Sequence, residues 1–546
     1  MSDERGALAL MVEALNFHGF SYKERISSGH LAFKGNLQVL ERPHPSILFL
    51  DPSFSKPPQI YLLSIPSELR PVAPHLGANG YLCYLSKGMV VLDIFDPVGQ
   101  MLACLNQAKA VLGKLLKNEF VDDLEEEFFS FWGDANWTCY TDVEDVRKQK
   151  LQGFVADGGS AGAVAFITDN IERTQKKIDL LGYSVSRIGC PVFRIKTSAK
   201  PRPSLDKWPV TTLQELLVWQ GLLENRCSRK IFARVQQAAE AGFSAVIFMI
   251  DSPVYTYCFS VFLNSVTGCA PNVQQRRSEK FLRQASVTPM SNWRIDDRYM
   301  VQRNNPGGAT LEAKRIALIG CGTIGGYLAD ILVKSGAGQL GGRLLLIDND
   351  TLQPSNLGRH RLGFPHVAKN KAIALAEELI RYTPGAEIRP LPVDAMLANL
   401  GKIDLLIDAT GEEAFGHWLA TNYGRDVPLL NVWIEGPGVA IRTLLRTGPE
   451  QGCYRCLTDQ NRVGHYCSVD GQIKQIYAGQ GCEQEYVPFP ASVAMQAACL
   501  GGDVALSWAA DRKASGLWTK VIDSKYKSAG PDGFFPKVAN CPACSS

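Results

Sequence analysis

Apolar residues fall into three kinds of run along the chain. In the first stretch, SILFLD (Ser46–Asp51) and QIYLLSIP read as strands. LACLNQAKAVLGKLLKN (Leu102–Asn118) follows with helical spacing, and an acidic, aromatic run, DDLEEEFFSFW, closes the segment near Asp134. Short strands followed by a helix predict an α+β unit. The second stretch, 135–290, opens with GFVADGGSAGAVAFITDN and crosses a proline-rich hinge, AKPRPSLDKWP. A long helical pattern from Thr211 to Gly242 follows, then the buried-strand candidate SAVIFMID. It predicts an α/β linker or scaffold domain with no chemical motif. The third, 291–546, starts with the polar link QRNNPGGATLEAK. Continuous apolar runs (RIALIG, RLLLID, EIRPLPV, IDLLIDA, PLLNVWI) then alternate with the helical GGYLADILVKSG and KNKAIALAEELIRYTPG. That alternation predicts a doubly wound, Rossmann-like parallel sheet.

Composition changes this picture little. Of 546 residues, 46% are hydrophobic and 20% charged, as in an ordinary globular chain with real cores. A net charge of +3 gives no reason to expect nucleic acid or a membrane surface as partner. MSDERGALAL lacks the apolar core of a secretory signal, and no apolar stretch reaches the ~18 residues that span a bilayer. Fifteen cysteines, an odd number, four of them in CxxC pairs, suit a reducing cytoplasm better than a disulfide framework.

The first chemical signal is Gly320-x-Gly322-x-x-Gly325, where a strand turns into a helix and backbone amides can meet phosphate. Asp348 ends the next strand, placed to bond a ribose hydroxyl. By itself this suits NAD, FAD or ATP equally. Asp350, Asn356, Arg359 and Lys371 follow, and a basic cluster behind a glycine loop serves chemistry on ATP phosphates better than hydride transfer.

GxGxxG, then DxD, NLxR and a lysine opening the next helix resembles the adenylating fold of ubiquitin-activating enzymes and of thiamine- and molybdopterin-biosynthesis adenylating enzymes, over Arg298 to Cys544. The resemblance implies that a C-terminal glycine carboxylate attacks the ATP α-phosphate, giving an acyl-adenylate and pyrophosphate. It places Asp348 on the ribose and Asn356, Arg359 and Lys371 around the phosphates. Where the family carries a magnesium-holding aspartate, this chain reads IDATGEE, with Gly411 in that slot. Asp408 is the substitute, with Glu412 as second choice. An arginine finger upstream of the loop falls on Arg303 ahead of Arg298, and its use across an interface in relatives implies a homodimer.

Cys453-Tyr-Arg-Cys456 and Cys541-Pro-Ala-Cys544 supply the four thiolates of a structural zinc site, where the adenylating family carries one. Between the pairs lie Cys467 (GHYCSVDG) and Cys482 (GQGCEQEYVPFPASVAMQAA). In thioester-forming relatives the acyl acceptor precedes an apolar, glutamine-containing helix; Cys482, with Gln496 downstream, fits that context, and Cys467 is the runner-up.

His75, Gly80 and Cys83, followed by Asp96, Pro97 and a helix, resemble the active-site stretch of ubiquitin-conjugating enzymes in its shorter, bacterial form. PHLGAN replaces the histidine-proline-asparagine motif, and Asn79 is not spaced to replace its asparagine. Conjugating domain first, linker next and adenylating domain last resembles the bacterial fusion proteins of CBASS anti-phage operons. The resemblance implies ATP, Mg²⁺ and Zn²⁺ as cofactors and a ubiquitin-like protein, or the C-terminus of a cyclic-nucleotide-making (CD-NTase) enzyme, as donor. It also implies lysines of target proteins as acceptors, with a relay through Cys482 and Cys83. A sulfur-carrier adenylyltransferase, an NAD-dependent oxidoreductase and an inactive scaffold are the alternatives.

Overall fold

The computed structural model describes residues 2–85, 92–93, 95–157, 163–263, 278–478, 486–511 and 516–545. The chain divides into two units. One holds residues 1–139, 149–167 and 185–293; the other holds 140–148, 168–184 and 294–546.

In the first unit, β1 (Ser21–Arg25), β2 (Leu31–Val39), β3 (Arg42–Leu50) and β4 (Gln59–Leu62) form an antiparallel meander in sequence order. Alternation in β3 buries Ser46, Leu48 and Leu50 on one face. Against the meander pack helices Ser2–Phe17, through Met11 and Leu15, and Pro97–Leu116, through Met101, Leu105, Ala108 and Leu112. Asp96 starts the second helix by accepting from the Gly99 amide at 3.0 Å, and Pro97 at the first position needs no donor.

The one strand expected in the middle segment, SAVIFMID, is joined by six more, and the seven close on themselves. β5 (Asp134–Asp142), β6 (Lys150–Asp157), β7 (Ala163–Thr168), β8 (Ser184–Lys196), β9 (Ala245–Asp251), β10 (Thr256–Phe262) and β11 (Ser286–Arg294) form a barrel in the order β10-β11-β5-β7-β6-β8-β9. Helix Leu213–Glu240 starts at a capping box, in which Thr212 accepts from the Glu215 amide while the Glu215 carboxylate accepts from the Thr212 amide. Trp132 and Trp219 stack on Phe128, Trp208 and Tyr257 meet its ring edge-on, and Phe259 packs edge-on against Trp132, forming an aromatic core.

The second unit carries a sheet of β12 (Arg315–Ile319), β13 (Arg343–Ile347), β14 (Ile388–Leu391), β15 (Leu405–Asp408), β16 (Leu429–Glu435), β17 (Ala440–Arg446) and β18 (Gly516–Val521), ordered β14-β13-β12-β15-β16-β17-β18. The first five, the runs singled out in the sequence, are parallel; β17 and β18 add antiparallel strands that the sequence reading did not name. Alternation along β12 sends Ile316 and Leu318 to a core with helices Thr323–Lys334, Lys371–Tyr382 and Ala491–Ala509. Ala317 and Ile319 meet helix Glu413–Asn422 on the opposite face. Helices on both faces explain why these strands read as continuous apolar runs. The polar link ahead of β12 begins inside a helix, Asp297–Asn304, capped by Asp296 accepting from Tyr299 N at 3.0 Å.

A buried ionic cluster ties segments 140–148 and 168–184 to the start of that helix within this unit. Lys177 Nζ donates to Asp142 at 2.9 Å, to Asp297 at 2.8 Å and to the Ile295 carbonyl at 2.7 Å. Arg173 meets Asp142, Glu144 and Asp169.

Candidate active site

Chain order reverses at β12, whose neighbours are β13 and β15, and this opens a crevice beyond the carboxyl ends of those strands. Gly320 sits at its floor with φ +86°, and a Cβ there would come within 3.0 Å of the Ala409 and Thr410 backbone. Gly325, in the first turn of the following helix, rests on the loop: its Cβ would lie 1.7 Å from the Gly320 carbonyl oxygen. Gly322 is the helix N-cap and faces open space. Each glycine of the motif thus meets a different constraint.

Asp348 is the hub of the polar contacts. Its carboxylate accepts from the Cys321 amide at 2.8 Å and from the Asp350 amide at 2.8 Å. Burial raises its pKa, opposed by those two hydrogen bonds. Lys371 Nζ donates to Asp350 at 2.8 Å, and Asn370, capping the same helix, donates to the Asp348 and Asp350 carbonyls at 2.9 and 3.1 Å. Asp348, Asp350 and Lys371 are therefore brought together beside the glycine loop. Asn356 is turned to local structure, its amide oxygen accepting from Gln353 N at 3.0 Å. Arg359 donates to the Val487 carbonyl at 3.1 Å and lies 4.2 Å over the Phe489 ring; desolvation lowers its pKa.

Asp408 ends β15, buried. One oxygen accepts from Thr410 N and Oγ1 at 3.1 and 2.7 Å, the other from Asn431 at 2.9 Å, and burial raises its pKa. A carboxylate has about four lone-pair sites, and three of those on Asp408 are taken by these bonds. Gly411, in the expected aspartate slot, has φ +74°, a left-handed turn that disfavours the longer side chain. Glu412 is exposed. Arg303 is also exposed and lies 5.9 Å over the Tyr299 ring. Arg298 is half-buried, and its Nε, buried, has no partner among the described residues.

Cys453, Cys456, Cys541 and Cys544 are all buried, with their sulfurs within 4.8 Å of one another. Three of the separations are 3.8, 3.8 and 3.7 Å. A disulfide is ~2.05 Å long, whereas thiolates bonded at ~2.3 Å to a tetrahedral zinc stand ~3.8 Å apart. The donor set fits zinc.

Cys482 lies outside the described residues. Ala478 and Tyr486 exchange backbone hydrogen bonds of 2.9 Å. Gln496 is on the Ala491–Ala509 helix, as expected. Cys467 is half-buried. The preceding Tyr466 carbonyl accepts at 2.7 Å from Arg442, a fully buried guanidinium that also meets Thr519 and Glu435.

In the first unit, Cys83 is half-buried and donates its amide to the His75 carbonyl at 2.8 Å. Gly80 rests on β4, where a Cβ would fall 2.2 Å from the Leu62 oxygen. Asn79 accepts from Tyr81 N at 3.1 Å, a local turn contact. His75 Nε2 lies 3.0 Å from Asp123 and Nδ1 2.7 Å from Glu127. Those carboxylates come from DDLEEE, a run the sequence reading treated only as a segment end.

Over nearly its whole length the chain resembles the ATP-dependent ubiquitin transferase-like protein Cap2 of Pseudomonas aeruginosa, with 46% identity across 99% of each. It belongs to the Cap2 family. Cap2 of Escherichia coli is 25% identical over 91% of this chain and 90% of its own. The ThiF family matches residues 298–507, and prokaryotic E2 family B matches residues 13–138. A crystal structure of E. coli MccB with succinimide covers 45% of this chain and 68% of its own, at 18% identity and a TM-score of 0.33. As a Cap2 family member the chain is an ATP-dependent transferase that joins an adenylating domain to a conjugating one. Among the described residues no helix is long and apolar enough to cross a membrane.

His360 was missed. Its Nε2 lies 2.9 Å from the Cys321 carbonyl while Nδ1 accepts from the Leu362 amide at 3.0 Å. A histidine beside the basic cluster was the available signal.

Proposed function

We propose that the chain activates the C-terminal carboxylate of a ubiquitin-like protein or of a CD-NTase and attaches it to target lysines in anti-phage defence, as a CBASS enzyme of the cytoplasm. The domains are conjugating (1–134), linker (135–290) and adenylating (291–546). ATP lies over the glycine loop with its ribose on Asp348. Lys371 and Arg359, with Asn356 beside them, steady the phosphates; each cation has to exchange its present partner, Asp350 or the Val487 carbonyl, for phosphate. Magnesium would be held by Asp408 and would offset phosphate charge. The carboxylate attacks the α-phosphate and pyrophosphate leaves. Cys482, or Cys467, displaces AMP to form a thioester, the acyl group passes to Cys83, and a target lysine amine attacks last, releasing the Cys83 thiolate and forming an isopeptide bond. Arg303 acts as the finger across a homodimer. Zinc on the four cysteines is structural.

The observation that carries this reading is the cluster at the glycine loop: Asp348 fixing the Cys321 amide with Lys371 one carboxylate away. The test is intact mass of the full chain incubated with ATP, Mg²⁺ and the proteins encoded beside it. A reducible adduct that moves from Cys83 to Cys482 in Cys83→Ala is the expected result. Pyrophosphate exchange without any thioester would replace the relay with sulfur-carrier chemistry.

A further inference from the structure

Cys321 lies inside the glycine loop and is held through both of its flanking peptide groups. Its N–H is held by Asp348 from the end of β13, at 2.8 Å. Its carbonyl faces His360 Nε2 at 2.9 Å, from the segment that also carries Asn356 and Arg359. A carbonyl only accepts, so Nε2 carries the proton; an amide N–H only donates, so Nδ1, 3.0 Å from Leu362 N, carries none. The two contacts fix one tautomer of a neutral ring. The ring is 6% exposed, and burial pushes its pKa down to about 4, so this neutral state persists at physiological pH.

That grip fixes which way the loop's amides point. The peptide after Cys321 carries the Gly322 N–H, which points within the peptide plane in the direction opposite to the carbonyl that His360 holds. Gly322 is also the N-cap residue of the Thr323–Lys334 helix, facing open space where a phosphate would approach. Losing the imidazole frees this peptide to rotate and leaves a buried carbonyl without its partner.

We propose that His360 is a positioning residue that orients the Cys321–Gly322 peptide for the phosphates of ATP. The inference rests on the reading that the glycine loop binds ATP. Glutamine can reproduce the grip, because its amide nitrogen donates, its oxygen accepts, and the two are spaced like the imidazole nitrogens. Leucine fills similar space with neither function.

The experiment compares ATP and adenosine as competitors of a fluorescent ATP analogue on full-length wild type, His360→Leu and His360→Gln, with thermal unfolding of each recorded. The expected result is ATP affinity at least tenfold weaker in His360→Leu, adenosine affinity within twofold of wild type, and ATP affinity within threefold of wild type in His360→Gln. Equal weakening of ATP and adenosine, or no recovery in His360→Gln, would overturn the inference, because a general packing defect has no preference for phosphate and no need of the amide. Wild type binding neither ligand would instead refute the glycine-loop reading, separately from the role of His360. If His360→Leu fails to fold, His360→Gln against His360→Asn gives the same comparison, since the shorter amide cannot reach both partners.

Discussion

The three glycines of the loop should respond differently to one added methyl group. In Gly325→Ala the new Cβ would sit 1.7 Å from the Gly320 oxygen, against an ordinary carbon–oxygen approach of ~3.3 Å. The helix or the loop then has to move by about 1.5 Å, since both atoms belong to backbone and neither can swing aside. Overpacking of this kind costs about 1–3 kcal/mol, and two rigid elements place it at the upper end. Gly320→Ala adds about 1–2 kcal/mol for its left-handed conformation, plus contacts at 3.0 Å with the Ala409–Thr410 backbone. Gly322→Ala meets nothing within 4 Å and has a φ of −76°, so its stability cost is that of alanine for glycine at a half-buried N-cap, about 1 kcal/mol or less. Hydrogen exchange of peptides covering Arg315–Lys334 measures the local opening free energy, and ATP titration measures the site. Gly325→Ala should lose protection and ATP binding together, whereas Gly322→Ala should keep protection and lose ATP affinity because its methyl occupies the phosphate approach. Equal protection in Gly322→Ala and Gly325→Ala would refute the argument that backbone contact decides the order.

Lys177→Met leaves Asp142 and Asp297 buried without their shared cation and should destabilise the second unit by about 3–5 kcal/mol, read by denaturant unfolding; a loss below about 1 kcal/mol would mean the carboxylates reach water. The full chain should carry one zinc by elemental analysis, Cys456→Ser should carry none and expose its C-terminal tail to protease, and Cys104→Ser should keep the wild-type content; a metal-free wild type would refute the zinc reading. His360 is held neutral, with its folded pKa near 4 below an unfolded value of 6.5, so its contribution is complete above pH 6.5 and is lost as pH falls towards 4. This amounts to about 3 kcal/mol, and His360→Gln should flatten stability against pH over that window.

The parallel strands of the adenylating sheet were legible because helices cover both of its faces, which forces uninterrupted apolar runs. The antiparallel β17 and β18 were harder to read. β17 carries Arg442, Thr443 and Arg446 among its apolar residues; both arginines are buried, and the partners of Arg442 (Glu435, Thr519 and the Tyr466 carbonyl) meet it only in the folded chain. The middle segment announced its helix and β9, but barrel closure depends on pairings distant in sequence, such as β8 with β9 in parallel. At the site, the glycine spacing and Asp348 were readable because they mark a strand-to-helix turn and the end of the next strand, positions fixed by their order along the chain. The grip of His360 on Cys321 spans 39 residues and needed the folded chain. The resemblance places Asn356 near the phosphates, and only the folded chain shows its amide oxygen accepting from Gln353 N in a local turn.

The four-cysteine cluster joins Cys453 to Cys541, 88 residues later, and the chain between them contains Cys467 and the segment 479–485. A metal holding both ends would make this stretch a closed loop whose denatured form loses about 4–5 kcal/mol worth of chain entropy. The C-terminal CxxC pair would then be tied to the Tyr454–Arg462 helix across the loop, so that local fraying of the tail would not grow into unfolding of the sheet beside it.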